Sequence, residues 1–210
     1  MQQTTSAHIN QGQYQDLMFG DFVEFIDPAG APWLDDTGRV WEDPGHALEF
    51  VGLASKVILA MQAVPTQDPS LLARRGSLYK LGRAVFPSVF ENAFKMEYSS
   101  DRGGMCKAVD LFTRLPINSD IPWWNLPETK RAAVLLPRLL PKLDGRDHMH
   151  VADACLDSTV RFYVRPNLGY LPIQTRSADG ECIDVIPAIP DADPLYHYGL
   201  SLIGSLQRLN

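Results

Sequence analysis

Two histidines occupy similar positions near the starts of two predicted helices. The segment "DPGHALE" begins at Asp43 and contains His46, and the segment "DPLYHYG" begins at Asp193 and contains His197. In both, the aspartate can cap the helix and the proline after it suits the first helical position, so the cap does not need the histidine. We therefore expect both imidazoles to serve chemistry.

The chemistry expected of these imidazoles follows from the helix start. The positive end of the helix dipole disfavours imidazolium, which predicts a lowered pKa for His46 and His197. A neutral imidazole at pH 7 can accept a proton or polarise a carbonyl group. Glu49 comes three residues after His46 and shares its helical face, so it can bind the substrate or orient the imidazole.

A third helix start, in "WWNLPETKRAA", adds a carboxylate and two indoles. Asn125 can cap this helix before Pro127, and Glu128 follows in the first turn, where the dipole stabilises its anion. Trp123 and Trp124 beside an amide and a carboxylate are typical of a sugar site, because the C–H faces of a sugar stack on indole rings. Each feature alone also fits an ordinary structural role; together they predict one cavity with two imidazoles and a carboxylate.

Apolar periodicity predicts the helices that must position these groups. The predicted helices span 44–63, 69–90, 127–140, 148–165 and the segment from after Pro194 to the end. Gly82 and Pro87 are weak points of the second, and Pro137 should kink or split the third. A ribbon strand is expected within 103–115, and 178–180 is a hairpin turn signal. This order favours an all-α toroid of helical hairpins over a βαβ sheet.

The amino-acid composition limits the classes to which this protein can belong. A chain of 210 residues with 45% hydrophobic residues can form a substantial hydrophobic core. The net charge of −6 and the lack of a basic run argue against nucleic-acid binding. No apolar window approaches the ~18 residues of a membrane span. Three widely spaced cysteines form no zinc or redox pattern, so we expect reduced thiols, a cytoplasmic location and no metal. Residues 1–20 form a polar N-terminal segment, and 21–210 form the domain.

The strings "DPGHALEF", "GGM" and "WWNLPETKRAA", followed by a terminal helix with a histidine, resemble the N-acylglucosamine 2-epimerase family from about residue 20 to the end. The resemblance implies an (α/α)6 barrel with a sugar in its cavity and no cofactor. It implies acid/base roles for His46 and His197, and sugar contacts for Glu49, Trp124 with its neighbour Trp123, and Glu128.

Length is the main departure from that family. Five predicted helices cannot close six helical hairpins, so the chain resembles only the C-terminal half of the barrel. Either the sequence is a fragment that lacks the N-terminal half, or a separate chain or self-association completes the ring. The segment "WWNLPETKRAA" also departs from the family's usual Trp-Trp-Pro-Gln/His-x-Glu, so the resemblance does not define the substrate class.

The resulting hypothesis is a sugar 2-epimerase or aldose–ketose isomerase of the N-acylglucosamine or mannose type. His197 is the expected base at C2 and His46 its acid partner, with the reverse order still open. One alternative is glycoside hydrolysis by Glu49 and Glu128 on the same fold. Another is a partner-dependent or inactive half-barrel that acts as a binding module through its exposed face.

Overall fold

A computed structural model describes residues 1–143, 145–169, 171–183, 185 and 196–206. Helices dominate this part of the chain: α1 Gln2–His8, α2 Pro44–Ala63, α3 Pro69–Glu97, α4 Asn125–Leu139, α5 Gly145–Ser158 and α6 His197–Leu206. Strands are confined to short ribbons in the loops, so the all-α prediction is confirmed. No helix in these ranges combines the length and apolar character that a bilayer span requires.

Helix α2 has the predicted bounds. Asp43 is its N-cap and accepts a hydrogen bond from the backbone N–H of Gly45 at 2.9 Å, with Pro44 in the first turn. The buried face of α2 includes Leu48, Val51 and Ile58. A local signal, cap plus proline, was enough to locate this helix start because it depends on neighbouring residues only.

Helix α3 runs unbroken through both expected weak points, Gly82 and Pro87, and is longer than predicted because it continues beyond residue 90 to Glu97. A Cβ at Gly82 would lie 2.9 Å from the ring of Phe86 and 3.4 Å from Ile58 of α2. The glycine therefore permits close packing between the two helices. Phe86 and Val89 on either side of Pro87 are fully buried, and such burial offsets the roughly 3 kcal/mol that an internal proline costs a helix.

Helix α4 begins at Asn125, before the predicted start at Pro127. Its N-cap is Trp124, which makes no side-chain cap hydrogen bond, so the prediction that Asn125 caps this helix is wrong. Asn125 is fully buried in the first turn instead. Pro137 does not split the helix, which ends just beyond it at Leu139.

The segment predicted as a helix over 148–165 is divided. Helix α5 ends at Ser158 and is followed by a π-helical turn, Thr159–Tyr163, and then a strand. Helix α6 begins at His197, while its expected cap and first-turn proline, Asp193 and Pro194, lie outside the described residues.

The ribbons are antiparallel. They pair β1 Trp41–Glu42 with β2 Ala108–Asp110, β2 with β3 Pro116–Asn118, β4 Ile121–Pro122 with β7 Thr175–Arg176, and β5 Val164–Arg165 with β6 Leu171–Pro172. Strand β2 falls inside the predicted 103–115. Gly180 has a φ of 88° in the predicted hairpin turn. Because Glu42 faces Val109 in the β1–β2 pair, the chain brings Asp43 and Lys107 to the same end of that ribbon.

The helices pack as hairpins around α4. Helix α2 packs against α3 and α4, and α4 also packs against α5 and α6. The main core lies between α2, α3 and α4, and it also includes Ile9 and Phe22 from the N-terminal region. The domain boundary after residue 20 stays a prediction. This packing brings the starts of α2, α4 and α6 together.

Candidate active site

The first catalytic candidate, His46, lies in the first turn of α2 between two carboxylates. Its Nδ1 is 2.9 Å from Oε1 of Glu24 and 3.6 Å from Oδ2 of Asp43. The Glu24 backbone N–H donates to the carbonyl of Trp41 at 2.8 Å, which holds this loop against β1. The imidazole is 43% exposed, so a substrate can reach it.

The hydrogen bond from His46 to Glu24 is the main cause that raises the pKa of His46, and Asp43 adds to it while burial opposes it. The prediction of a lowered pKa is wrong for His46. Two carboxylates within a few ångströms outweigh the partial charge of roughly +0.5 at a helix N-terminus. His46 is thus biased towards imidazolium.

Asp43 links His46 to a cation. One of its carboxylate oxygens caps α2, and the other forms an ion pair with Nζ of Lys107. The Asp43 side chain is buried, and this burial raises its pKa against the opposing effects of His46 and Lys107. Lys107 also lies over the ring of Trp124, with 4.9 Å between Nζ and the ring centroid.

The second catalytic candidate, His197, lies at the start of α6 and contacts a buried carboxylate. Its Nδ1 is 2.7 Å from Oε1 of Glu128, and Nη2 of Arg131 is 2.8 Å from the same oxygen. Glu128 and Arg131 are almost fully buried. Burial raises the pKa of Glu128, while His197 and Arg131 act to lower it. An ionised carboxylate only accepts hydrogen bonds, so Nδ1 donates and Nε2 is the nitrogen suited to proton exchange with a substrate.

Trp124 lies next to both histidines. The centroid of its ring is 5.1 Å from that of His46 and 5.2 Å from that of His197, with interplanar angles of 34° and 31°. Trp123 is different: it is only 3% exposed, and its Nε1 donates to Gln174 at 3.1 Å. Trp124 therefore forms the accessible indole surface, and Trp123 belongs to the core beneath it.

Glu49 is held by Tyr196, the residue just before α6. Its Oε1 accepts a hydrogen bond from the Tyr196 hydroxyl at 3.0 Å. His46 is oriented by Glu24 rather than by Glu49. Glu49 and His46 both line an open cavity of about 390 Å³, together with apolar side chains of α2.

Glu49, Glu128 and His197 could hold a metal ion on distance alone, because each offers a ligand atom and these atoms lie within 4.8 Å of one another. However, Arg131 is ion-paired with Glu128 at 2.8 Å. A fixed positive charge against one of three candidate ligands opposes a cation at this position. The arrangement is better suited to holding His197 for proton transfer.

Gly45 allows the segment "DPGHALE" to pack closely against the segment "WWNLPETKRAA". A Cβ at this position would lie 2.1 Å from Oδ1 of Asn125 and 2.7 Å from Cη2 of Trp124. Both distances are far below van der Waals contact, so a side chain at position 45 would displace the indole between the two imidazoles. The glycine of "DPGH" is thus required by tertiary packing.

Four residues of the site were missed by sequence reasoning: Glu24, Lys107, Arg131 and Tyr196. Arg131 carried a usable signal, because it follows Glu128 at the i,i+3 spacing of a helical ion pair. Glu24 and Lys107 carried none, since their partners are 22 and 64 residues away.

Comparisons with known proteins define the fold. No family model and no curated protein sequence matches the chain. Its structure is similar to a solved structure of D-mannose isomerase, with TM-score 0.59 and 14% identity over 85% of this chain and 38% of the other. It is also similar to a sugar epimerase from a ruminal bacterium, with TM-score 0.68 and 13% identity over 98% of this chain and 45% of the other. For cellobiose 2-epimerase from Bacillus thermoamylovorans B4167 the TM-score is 0.68, with 12% identity over 99% of this chain and 45% of the other.

These similarities confirm the predicted fold class, part of an (α/α)-barrel of the kind found in sugar epimerases and isomerases. The chain spans less than half the length of each of these structures. At 12–14% identity the likeness extends to the fold alone.

Proposed function

We propose that the protein catalyses proton transfer at C2 of an open-chain aldose, as a sugar 2-epimerase or an aldose–ketose isomerase. The observation that carries this proposal is the position of the imidazoles of His46 and His197, each about 5 Å from the indole of Trp124. An acid and a base beside one sugar-stacking surface are what proton abstraction next to a carbonyl requires.

The environments of the two histidines suit different roles. The raised pKa of His46 favours its protonated form, so His46 acts as the acid that opens the ring or protonates the substrate oxygen. Glu128 holds Nδ1 of His197, so His197 presents Nε2 as the base at C2. General acid and base catalysis are each typically worth ~10²–10⁴-fold. Return of the proton to the other face of C2 gives the epimer. Its return to C1, while the O2 hydroxyl gives up its proton to form the C2 carbonyl, gives the ketose.

The substrate in this proposal is a small sugar of the N-acylglucosamine or mannose type. Trp124 stacks against the sugar, and Glu49 accepts a hydrogen bond from a sugar hydroxyl. No metal or redox cofactor takes part. The protein acts in the cytoplasm in this proposal, as the number and spacing of its cysteines predict.

Glycoside hydrolysis is less well supported by the same groups. It needs two carboxylates that flank the scissile bond. Glu128 is fully buried and its Oε1 contacts both Arg131 and His197, so it does not offer a proton or a nucleophile to a bound glycoside.

The ring is completed in this proposal by self-association or by an N-terminal half that this sequence does not include. The cavity beside His46 is open and is lined by apolar groups of α2, including Phe50, Leu53 and Val57. Val57 is 48% exposed. An apolar surface beside a catalytic histidine is suited to burial against another part of a barrel.

Solvent exchange tests the proposed reaction. The chain is incubated in D₂O with mannose, N-acetylmannosamine or cellobiose, and deuterium at C2 is followed by NMR. We expect exchange that is lost in His46→Ala and in His197→Ala and kept in His150→Ala, whose side chain is exposed on α5. Exchange that survives His197→Ala would refute the assignment of the base.

A further inference from the structure

We propose that Lys107 supplies the positive charge that stabilises the enediolate intermediate, an inference that rests on the proposed function. Removal of the C2 proton leaves its electron pair as the C1–C2 double bond. The electrons of the C1=O bond move to O1, which becomes an anion. A preorganised donor aimed at that oxygen lowers the barrier most, because the charge develops there in the transition state.

The two cations of the candidate site, Arg131 and Lys107, differ in their exposure to solvent. Arg131 is 1% exposed and ion-paired with Glu128, so its guanidinium cannot reach a substrate beside Trp124. The side chain of Lys107 is 39% exposed. Among the residues that the structure describes around Trp124, Lys107 is therefore the cation that combines a fixed position with access.

The position of Lys107 places it beside both proton-transfer groups. Its Nζ is 4.9 Å from the centroid of the Trp124 ring, a distance close to those of His46 and His197 from the same ring. A sugar stacked near this indole has its reacting carbons close to all three groups. An ammonium has three N–H donors, so the ion pair with Asp43 leaves donors that can point at a sugar oxygen.

The charges around His46 also favour this role. Glu24 and Asp43 are the anions of the cluster, and Lys107 and the imidazolium of His46 are its cations. The cluster is neutral while His46 is protonated. When His46 gives its proton to O1, the enediolate becomes an enediol and the His46 cluster is left with a net charge of −1. The ion pair of Lys107 with Asp43 limits the negative charge beside the substrate at each stage.

The test replaces Lys107 with methionine, which keeps the length and removes the charge. We expect Lys107→Met to lower kcat by roughly 10²–10³-fold, the usual effect of losing one oxyanion donor, with KM changed by only a few fold. Lys107→Arg retains a larger part of the activity, and added alkylammonium ions restore part of the activity of Lys107→Met. Lys95→Met is the matched control, because Lys95 is 73% exposed on α3 and is paired only with Glu91 among the residues described.

A binding measurement separates this role from a purely structural one. An aldonohydroxamate is a stable mimic of the enediolate, and the corresponding alditol lacks its charge. We expect calorimetry to show that Lys107→Met weakens hydroxamate binding by about tenfold or more and leaves alditol binding unchanged. If Lys107→Met leaves Asp43 buried without its cation and fails to fold, the Asp43→Asn/Lys107→Met double variant removes both charges and keeps the helix cap.

The outcomes distinguish this inference from the proposed function. If the protein with its ring completed shows no exchange, or if His46→Ala and His197→Ala both keep it, the proposed function fails and takes this inference with it. If the histidine variants lose exchange while Lys107→Met keeps the parent kcat and hydroxamate affinity, only the role of Lys107 is overturned. Equal losses of hydroxamate and alditol affinity also overturn it, because they indicate a structural defect.

Discussion

Glu128 accepts a hydrogen bond from Nδ1 of His197 at 2.7 Å, although 69 residues separate the two in the chain. The same carboxylate oxygen contacts Arg131 at 2.8 Å, so the base of the proposed reaction is connected to a buried ion pair inside α4. A buried carboxylate behind an imidazole sets its tautomer and orientation, as in hydrolases with a Ser-His-Asp triad. Four predictions follow from this geometry and from that of His46.

Glu128→Gln leaves the buried guanidinium of Arg131 without its counter-ion. We expect a loss of about 3–5 kcal/mol in the free energy of unfolding, since breaking a buried pair costs that much. Urea denaturation measures it. The Glu128→Gln/Arg131→Met double variant should recover stability but not C2 exchange, because no carboxylate holds His197. Recovery of both would show that Glu128 serves the fold only.

The activity should depend on pH through His46. Its pKa is raised by Glu24, so the acid form is lost as pH rises through that raised pKa, and kcat/KM falls there. Glu24→Gln removes the charge, lowers the pKa of His46 and moves the alkaline limb of the profile to lower pH. The ion pair also stabilises the folded state below the unfolded pKa of about 6.5 and ceases to do so above the folded pKa.

NMR titration of the imidazole nitrogens would measure this shift directly. Glu91→Gln is the control, because Glu91 lies on α3 and is paired with Lys95. An alkaline limb that stays in place or moves to higher pH in Glu24→Gln would contradict the assignment of His46 as the acid.

Two glycine variants distinguish an effect on the site from a general effect on helix stability. Gly45→Ala forces a Cβ against Asn125 and Trp124, and such overpacking costs about 1–3 kcal/mol. We expect the loss of exchange activity, expressed as a free energy of activation, to exceed the loss in the free energy of unfolding, because Trp124 moves relative to both imidazoles. Gly76→Ala is the control: nothing lies within 4 Å of its Cβ in α3, and the change should stabilise the helix by ~0.5–1 kcal/mol. Equal behaviour of the two variants would contradict the packing role of Gly45.

Self-association should depend on the apolar part of the cavity. If a second copy completes the ring, light scattering should show a dimer or larger species. Val57→Lys should weaken association by tenfold or more, because an exposed valine that becomes buried contributes about 1.5–3 kcal/mol. Leu72→Lys is the control, since Leu72 is exposed on α3 and does not line this cavity. A chain that stays monomeric at every concentration would rule out self-association and favour completion of the ring by an N-terminal half.

Features that depend on neighbouring residues could be predicted from the sequence. Asp43 and Pro44 define the start of α2, and apolar periodicity defines its length. The same local signals selected His46, His197 and Glu128 as residues near helix starts, and the helix–ribbon order predicted an all-α hairpin fold. These features follow from backbone capping and from burial of one helix face, which act over one or two turns.

The electrostatics of the site depend on contacts between distant parts of the chain. The pKa of His46 is raised because Glu24, 22 residues earlier, contacts its Nδ1, and no local pattern records that contact. Asn125 is buried in α4 rather than capping it, because α2 approaches through Gly45. Coulomb interactions and close packing depend on distance in space, and a chain brings such groups together only when its helices dock.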